Sequence, residues 1–485
     1  MRNSRLLQTG WCLGAALLAA ACAGSSGTTS APAPTPTPGP PPSIVFILTD
    51  DLDMQSMPYM PRTLSLIADQ GVTFTNSFVA TSLCAPSRAS ILTGQYGHNH
   101  GMLNNLAPRG GYDKFYGEGR ENSTIATWLK AAGYRTVFLG KYLNGYPSGS
   151  PDYIPPGWVD WHADFSGDDG KEAGLEYYDY SMNDNGTVTK YAENPQDYLT
   201  DVVAKKTLDA LRSVPSGQPF FMYIAPRAPH QPAIRAQRHD GLFSDLSAPR
   251  TPSFNEGDMT GKPDWLREFA PFTAEVEMQM DSLYRDRLGT LQAVDEMIDQ
   301  IIQELSSEGR LGNTYIMFSS DNGFILGPHR FPHGKEAPYE ESIRVPLLVR
   351  GPGIPAKETR EALVFNVDYA STFVEWARAS APVMDGRSLA SLAQTGSASG
   401  WRSDLLLEHW LAAPTRDPSA IPDFFGLRTP DYSYVEYATG QAELYDIHKD
   451  PYQLANQYSA APATLLGQLT ARVATLKACQ GASCR

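Results

Sequence analysis

Hard oxygen donors stand at two well-separated points of this 485-residue chain, Asp50-Asp51 and Asp321-Asn322. Basic side chains able to meet an anion stand at three others, Lys141, His230 and Lys335. Carboxylate and amide oxygens are the donor set of Ca2+ or Mg2+ rather than of zinc, and a cation held by them would act as a Lewis acid. Cys84 opens the run Cys84-Ala-Pro-Ser-Arg-Ala-Ser-Ile-Leu-Thr-Gly94, in which Arg88 follows by four residues. On a helix that spacing is one turn, so sulfur and guanidinium would share a face. Singly, each of these residues has a plainer reading. A lone cysteine is usually core, a lone basic residue usually surface, and an Asp-Asp pair usually a solvated turn or a cap.

Their placement along the chain argues for a common site. Ser43–Leu48 is a continuous apolar run that ends at Thr49-Asp50-Asp51, the pattern of a buried parallel strand. Tyr134–Gly140 leads to Lys141, Pro219–Ala225 to His230, and Thr314–Ser320 to Asp321. Helical patterns over Pro61–Gln70, Ser123–Ala132, Leu199–Ser213 and Asp286–Ser307 lie between them. Such alternation predicts an α/β fold around a large, mostly parallel sheet flanked by helices, and ligands in such sheets gather beyond the carboxyl ends of the strands. After about residue 395 the texture changes. Asp404–His409, Phe425–Tyr437 and Glu443–Ile447 read as short antiparallel strands, followed by a helix over Ala461–Ala478. The expected organisation is a catalytic domain over 43–395 and a smaller subdomain over 396–485.

The ends and the composition bound the rest. Arg2 and Arg5 precede a short apolar stretch, Trp11–Ala21, which reads as an export signal over residues 1–22 and is too short to cross a bilayer. The sequence Leu18-Ala-Ala-Ala-Cys22 resembles a bacterial lipobox, which implies lipidation of Cys22. The alternative is an ordinary secretory signal. Residues 23–42, rich in Ser, Gly and Pro, form a low-complexity tether. Of five cysteines, Cys479 and Cys484 are left near the C-terminus, where an exported protein would pair them as a disulfide. A formal charge of −14, from 39 basic and 53 acidic residues with no Lys/Arg run, argues against a nucleic-acid binder, and His98-Asn-His100 lacks the basic surroundings of a nuclease motif.

The run from Cys84 to Gly94 resembles the C-x-P-S-R-x-x-x-L-T-G signature of type I sulfatases at every fixed position. The resemblance implies an alkaline-phosphatase-like sulfatase fold, and oxidation of Cys84 to formylglycine (3-oxoalanine) by a formylglycine-generating enzyme. The aldehyde hydrate would be the nucleophile, since its second hydroxyl can expel sulfate by C–O cleavage. It further implies one divalent cation, Ca2+ or Mg2+, held by Asp50, Asp51, Asp321, Asn322 and residue 84. Arg88 would hold the hydrate, Lys141 would contact the sulfate, His230 in Ala228-Pro-His-Gln-Pro232 would contact sulfate and protonate the departing oxygen, and Lys335 would assist. Many members read G-K-W-H where this chain reads Gly140-Lys-Tyr-Leu143, so the base for sulfate release is left open among His230, His329 and His333. Asp53 carries no assignment.

Gly140-Lys-Tyr-Leu-Asn144, Gly97–Asn105, Asp197–Asp201 and Val345–Ile354 are similar to the N-acetylglucosamine-6-sulfatase branch, across roughly residues 43–380. That likeness implies a small or chain-terminal sugar 6-O-sulfate as substrate, with His98, His100 and Asn104 near its entrance. Glu443-Leu-Tyr-Asp446 resembles the stretch that closes many sulfatases. Competing readings are an arylsulfatase, a formylglycine-dependent phosphonate or phosphate ester hydrolase, and a non-catalytic carbohydrate-binding surface lipoprotein. Membrane contact is expected only through a lipid on Cys22.

Overall fold

The structure, a computed structural model, describes residues 40–165 and 177–485. The signal, Cys22 and most of the tether lie outside the described residues. Strand Ser43–Thr49 sits at the middle of a ten-stranded sheet and pairs in parallel with Thr314–Ser320 on one side and Phe220–Ala225 on the other. Arg135–Lys141 and then Asp160–Asp164 extend the parallel part. The expectation of a mostly parallel sheet holds for these five central strands. At both margins the pairing turns antiparallel, through Leu347–Arg350 on one side and Ser181–Asp184 on the other. These marginal strands are short, and three or four residues carry too little periodicity to announce themselves.

Both faces of the sheet are covered at its centre, which is why the central strands read as mainly apolar runs. Ile44, Phe46 and Leu48 face one core with helices Cys84–Thr93, Ile125–Ala131 and Asp368–Ala377. Val45 and Ile47 face the opposite core with Leu199–Ser213 and Ala274–Ser307. The last helix starts twelve residues before the expected Asp286. Thr273 caps it, its hydroxyl accepting from Val276 N at 3.4 Å, ahead of a polar first stretch whose apolar face is weak. Deeper along the same helix, buried Asp295 accepts from Thr63 N at 2.7 Å and Arg62 N at 3.0 Å, tying the Pro61–Leu66 helix to it. Pro61–Gln70, expected as one helix, ends its α-helical part at Leu66 and continues as a short 3-10 turn over Ala68–Gln70.

Beyond the sheet, Leu405–His409, Phe424–Arg428, Tyr432–Tyr437 and Ala442–Asp446 form an antiparallel meander, with Ala463–Lys477 packed on it through Leu469, Val473 and Leu476. Cys479 and Cys484 are joined in a disulfide. No helix among the described residues is long and apolar enough to cross a membrane.

A tyrosine-rich cluster beside Arg135–Lys141 encloses Glu121, which accepts from Tyr153 at 2.9 Å and Tyr142 at 3.2 Å. Burial pushes its carboxyl from an ordinary 4.5 up to about 7, against the pull of the two hydroxyls. The folded state therefore keeps this proton to a higher pH than the unfolded chain, so the group costs stability as pH rises from about 4.5 to 7. Glu121→Gln is expected to remove that cost, gaining up to about 3 kcal/mol at pH 8 and little at pH 4.5. Urea unfolding at the two pH values checks it.

Candidate active site

Register explains how four segments far apart in the chain meet. Thr49 lies opposite Ser320, Gly140 opposite Ala225, and Ile47 opposite Ile224, so the central strands end at one edge. The loops that leave this edge carry Asp50-Asp51, Asp321-Asn322 and His230, and Lys141 is the last residue of its own strand. Gly140 permits the close approach: a Cβ there would come within 2.1 Å of the Ala225 carbonyl oxygen, at a φ of +98°.

Helix Cys84–Thr93 points its first turn into this edge. Cys84 is completely buried and unbridged, with Sγ 3.5 Å from Asp50 Oδ1 and 2.7 Å from Lys335 Nζ. Burial, with the negative charge of Asp50, raises its thiol pKa against the opposing pull of Lys141 and Lys335. Arg88, one turn on, donates from Nε to Asp321 Oδ2 at 2.8 Å and from Nη1 to the Lys141 carbonyl at 2.6 Å, and Nη2 lies 3.5 Å from Asp50. Lys141 Nζ is 2.6 Å from Asp50 Oδ2, and Lys335 pairs with Asp51 Oδ1. His230 Nε2 lies 3.8 Å from Asp51 Oδ2.

These charges set one another's protonation. Burial alone would raise Asp50, but Lys141, His230, Arg88 and Lys335 outweigh it and hold the carboxyl well below its usual range. Asp321 goes the other way, to about 6, because burial and the neighbouring Asp50 prevail over Arg88 and Lys335. Burial opposes the charged forms of His230 and Lys335, yet the surrounding carboxylates raise both well above normal.

Oxygens of Asp50, Asp51 and Asp321 come within 4.8 Å of one another, and those of Asp50 come as close to Cys84 and His230. Asn322 donates from Nδ2 to Asp51 Oδ1 at 2.6 Å, which leaves its Oδ1 completely buried without a hydrogen-bond partner. A buried acceptor left unpaired is costly unless something electropositive meets it. Three carboxylates and that oxygen make a donor set that fits a hard divalent cation.

Several predicted residues sit elsewhere. His100 is fully buried, bonded through Nε2 to Ser90 Oγ at 3.0 Å and accepting at Nδ1 from Met102 N, and burial lowers its pKa to about 3. Asn104 is 7% exposed and spans Trp410 O and Asn105 N. The structure thus holds both as internal braces rather than at an entrance. Partly buried His98 is bonded to Glu408 and to Cys479 O. Leu143 is fully buried in the core. Of the candidate bases, His329 is engaged by Glu256 at 2.7 Å beneath Tyr339, and His333 is exposed, so only His230 is among the carboxylates.

Other residues take bracing roles that the sequence did not assign. Asn105 Oδ1 accepts from Ala85 N at 2.9 Å, capping the helix that starts at Cys84. Ser87 Oγ donates to the Asp321 carbonyl and accepts from Asn366 Nδ2 at 2.8 Å. Arg227 bonds Asp164 at 2.6 Å, bracing the strand end before His230. Asn105→Ala is expected to cost about 1 kcal/mol by loss of the cap, and to lower turnover through a frayed first turn. Thermal unfolding together with kcat reads both effects.

The comparisons agree with this geometry. A family model described as Sulfatase matches residues 42–379, and one described as N-sulphoglucosamine sulphohydrolase, C-terminal, matches residues 327–478. The chain is similar to the human N-acetylglucosamine-6-sulfatase, at 36% identity over 92% of this chain and 86% of the relative. It is similar to the goat enzyme of the same name, at 35% identity over 92% and 85%. A solved structure of a protein in complex with its substrate D-glucosamine-2-N,6-O-disulfate superposes with a TM-score of 0.75, at 26% identity, over 89% of this chain and 97% of that one.

Proposed function

The chain belongs to the sulfatase family and hydrolyses sulfate esters, and from that premise we propose that its substrate is a sugar 6-O-sulfate of the N-acetylglucosamine type. The observation that carries the reading is the convergence of Cys84 and Arg88 with Asp50, Asp51, Asp321 and the unpaired Asn322 oxygen at one sheet edge. The relatives' own names supply the sugar.

In this reading Cys84 is matured to formylglycine by a formylglycine-generating enzyme, and its hydrate supplies the nucleophile. A divalent cation, Ca2+ in first place, supplies Lewis-acid polarisation when bound by Asp50, Asp51, Asp321, Asn322 and residue 84. Arg88 braces Asp321 and Asp50 and, one helical turn from residue 84, holds its hydrate by charged hydrogen bonds. Lys141 meets a sulfate oxygen as a point charge. His230 gives a proton to the departing sugar oxygen, with Lys335 beside it. Arg88, Lys141, Lys335 and His230 outnumber Asp50, Asp51 and Asp321, a balance that suits an anionic substrate. The N-terminal segment supports export, with Cys22 lipidated and residues 23–42 as the stalk.

The test is sulfate release by protein matured with a formylglycine-generating enzyme, on N-acetylglucosamine-6-sulfate, a sulfated heparan disaccharide and an aryl sulfate. Preference for the 6-sulfated sugar is the expected result. Turnover of the aryl sulfate alone discards the sugar.

A further inference from the structure

Arg287 belongs to no motif, lies on the long helix Ala274–Ser307 and is completely buried. Its guanidinium reaches three of the loops that build the candidate site. Nη2 donates to the Asp51 carbonyl at 2.5 Å and to Asp53 Oδ2 at 3.1 Å. Nη1 donates to the carbonyl of Pro229, the residue before His230, at 3.1 Å. The guanidinium carbon lies 3.9 Å from the centre of the Phe324 ring, two residues beyond Asn322.

Asp51 adopts a φ of +66°, in the left-handed region that a side-chain-bearing residue rarely enters without outside support. In that conformation its carboxylate receives Asn322 Nδ2 and Lys335, while its carbonyl is directed at Arg287. Asp53, bonded on its other side by Ser56 N at 2.9 Å, fixes the guanidinium in turn. The arrangement clamps backbone rather than touching the reacting groups. A planar fork can serve two carbonyls and a carboxylate at once, and an ammonium cannot reproduce it.

We propose that Arg287 is the positioning residue that locks Asp51 in its left-handed conformation and sets the His230 loop against it. This rests on the reading of Asp51 as a ligand of the cation. Outer groups that orient ligands commonly govern about 10- to 100-fold of metal affinity.

The experiment is Ca2+ titration by calorimetry of metal-stripped protein, comparing wild type, Arg287→Met, Arg287→Lys and Asp53→Asn, with kcat and KM measured on the same preparations. Arg287→Met and Arg287→Lys are expected to raise the Ca2+ Kd about tenfold or more, and to lower kcat with KM within about threefold. Asp53→Asn is expected to raise the Kd about threefold by loosening the same guanidinium. A wild type that binds no Ca2+ defeats the cation reading. A wild type that binds, with folded Arg287 variants within twofold of it, overturns the Arg287 assignment alone. Wild-type affinity in Arg287→Lys also overturns it, because charge without the fork would then suffice. Should Arg287→Met fail to fold by circular dichroism, Arg287→Lys and Asp53→Asn decide on the same thresholds.

Discussion

Cys84→Ala is expected to lose sulfate release by at least about 10^4-fold while the protein stays folded, because it removes the atom from which the nucleophile is made. The structural cost is small. Position 84 opens a helix, where alanine is well tolerated, and the sulfur's polar neighbours keep their other partners, Asp50 its Lys141 and Arg88 and Lys335 its Asp51. A loss of about 1 kcal/mol is the scale expected for one small buried group. Circular dichroism and thermal unfolding establish that the variant is folded, and sulfate release at saturating metal measures the effect. Activity of a purified Cys84→Ala protein would end the formylglycine mechanism. Cys84→Ser separates two steps: it stays as inactive as the alanine variant where the maturation enzyme rejects serine, and recovers where it accepts it.

The second large effect is expected from Asp321→Ala, with loss of bound cation and of activity together, each by at least about 10^2-fold. Asp321 does three jobs at once. Oδ1 accepts from Asp51 N at 3.1 Å, Oδ2 takes the Arg88 Nε hydrogen at 2.8 Å, and its carbonyl receives Ser87. Deleting the carboxylate leaves Arg88 buried with a partner lost, a change of about 3–5 kcal/mol in comparable settings. Asp321→Asn is the companion that keeps the shape and removes the charge. Metal content by mass spectrometry, beside turnover with and without chelator, distinguishes the cases. An Asp321→Ala protein that keeps working in chelator would take Asp321 out of the cation site.

Much of the fold was legible because its signals are local. A strand buried on both faces must be apolar through its middle, and Ile44–Leu48 and Tyr315–Phe318 are. The donors at their ends stand out because polar residues interrupt such runs abruptly. What is short or polar escaped. The marginal strands and the first turns of Ala274–Ser307 have no periodicity strong enough to separate them from loop. His100 and Asn104 show the reverse error. Polar side chains near a catalytic motif look like ligands of a substrate, yet the turn that carries them folds inward and spends them on Ser90, Met102 and Trp410.

The sequence by itself determined the chemistry of this protein: which atoms can hold a hard cation, which side chains can carry charge to an anion, and which cysteine stands in the sulfatase signature. Only the tertiary structure decided how those atoms are held. Arg287 meets Asp51 across 236 residues, Asn366 meets Ser87 across 279, and Asn105 reaches back 20 to cap Ala85. Such braces follow from strand register and helix packing, which sum contacts over the whole chain, and no local pattern of residues records where that sum brings two side chains together.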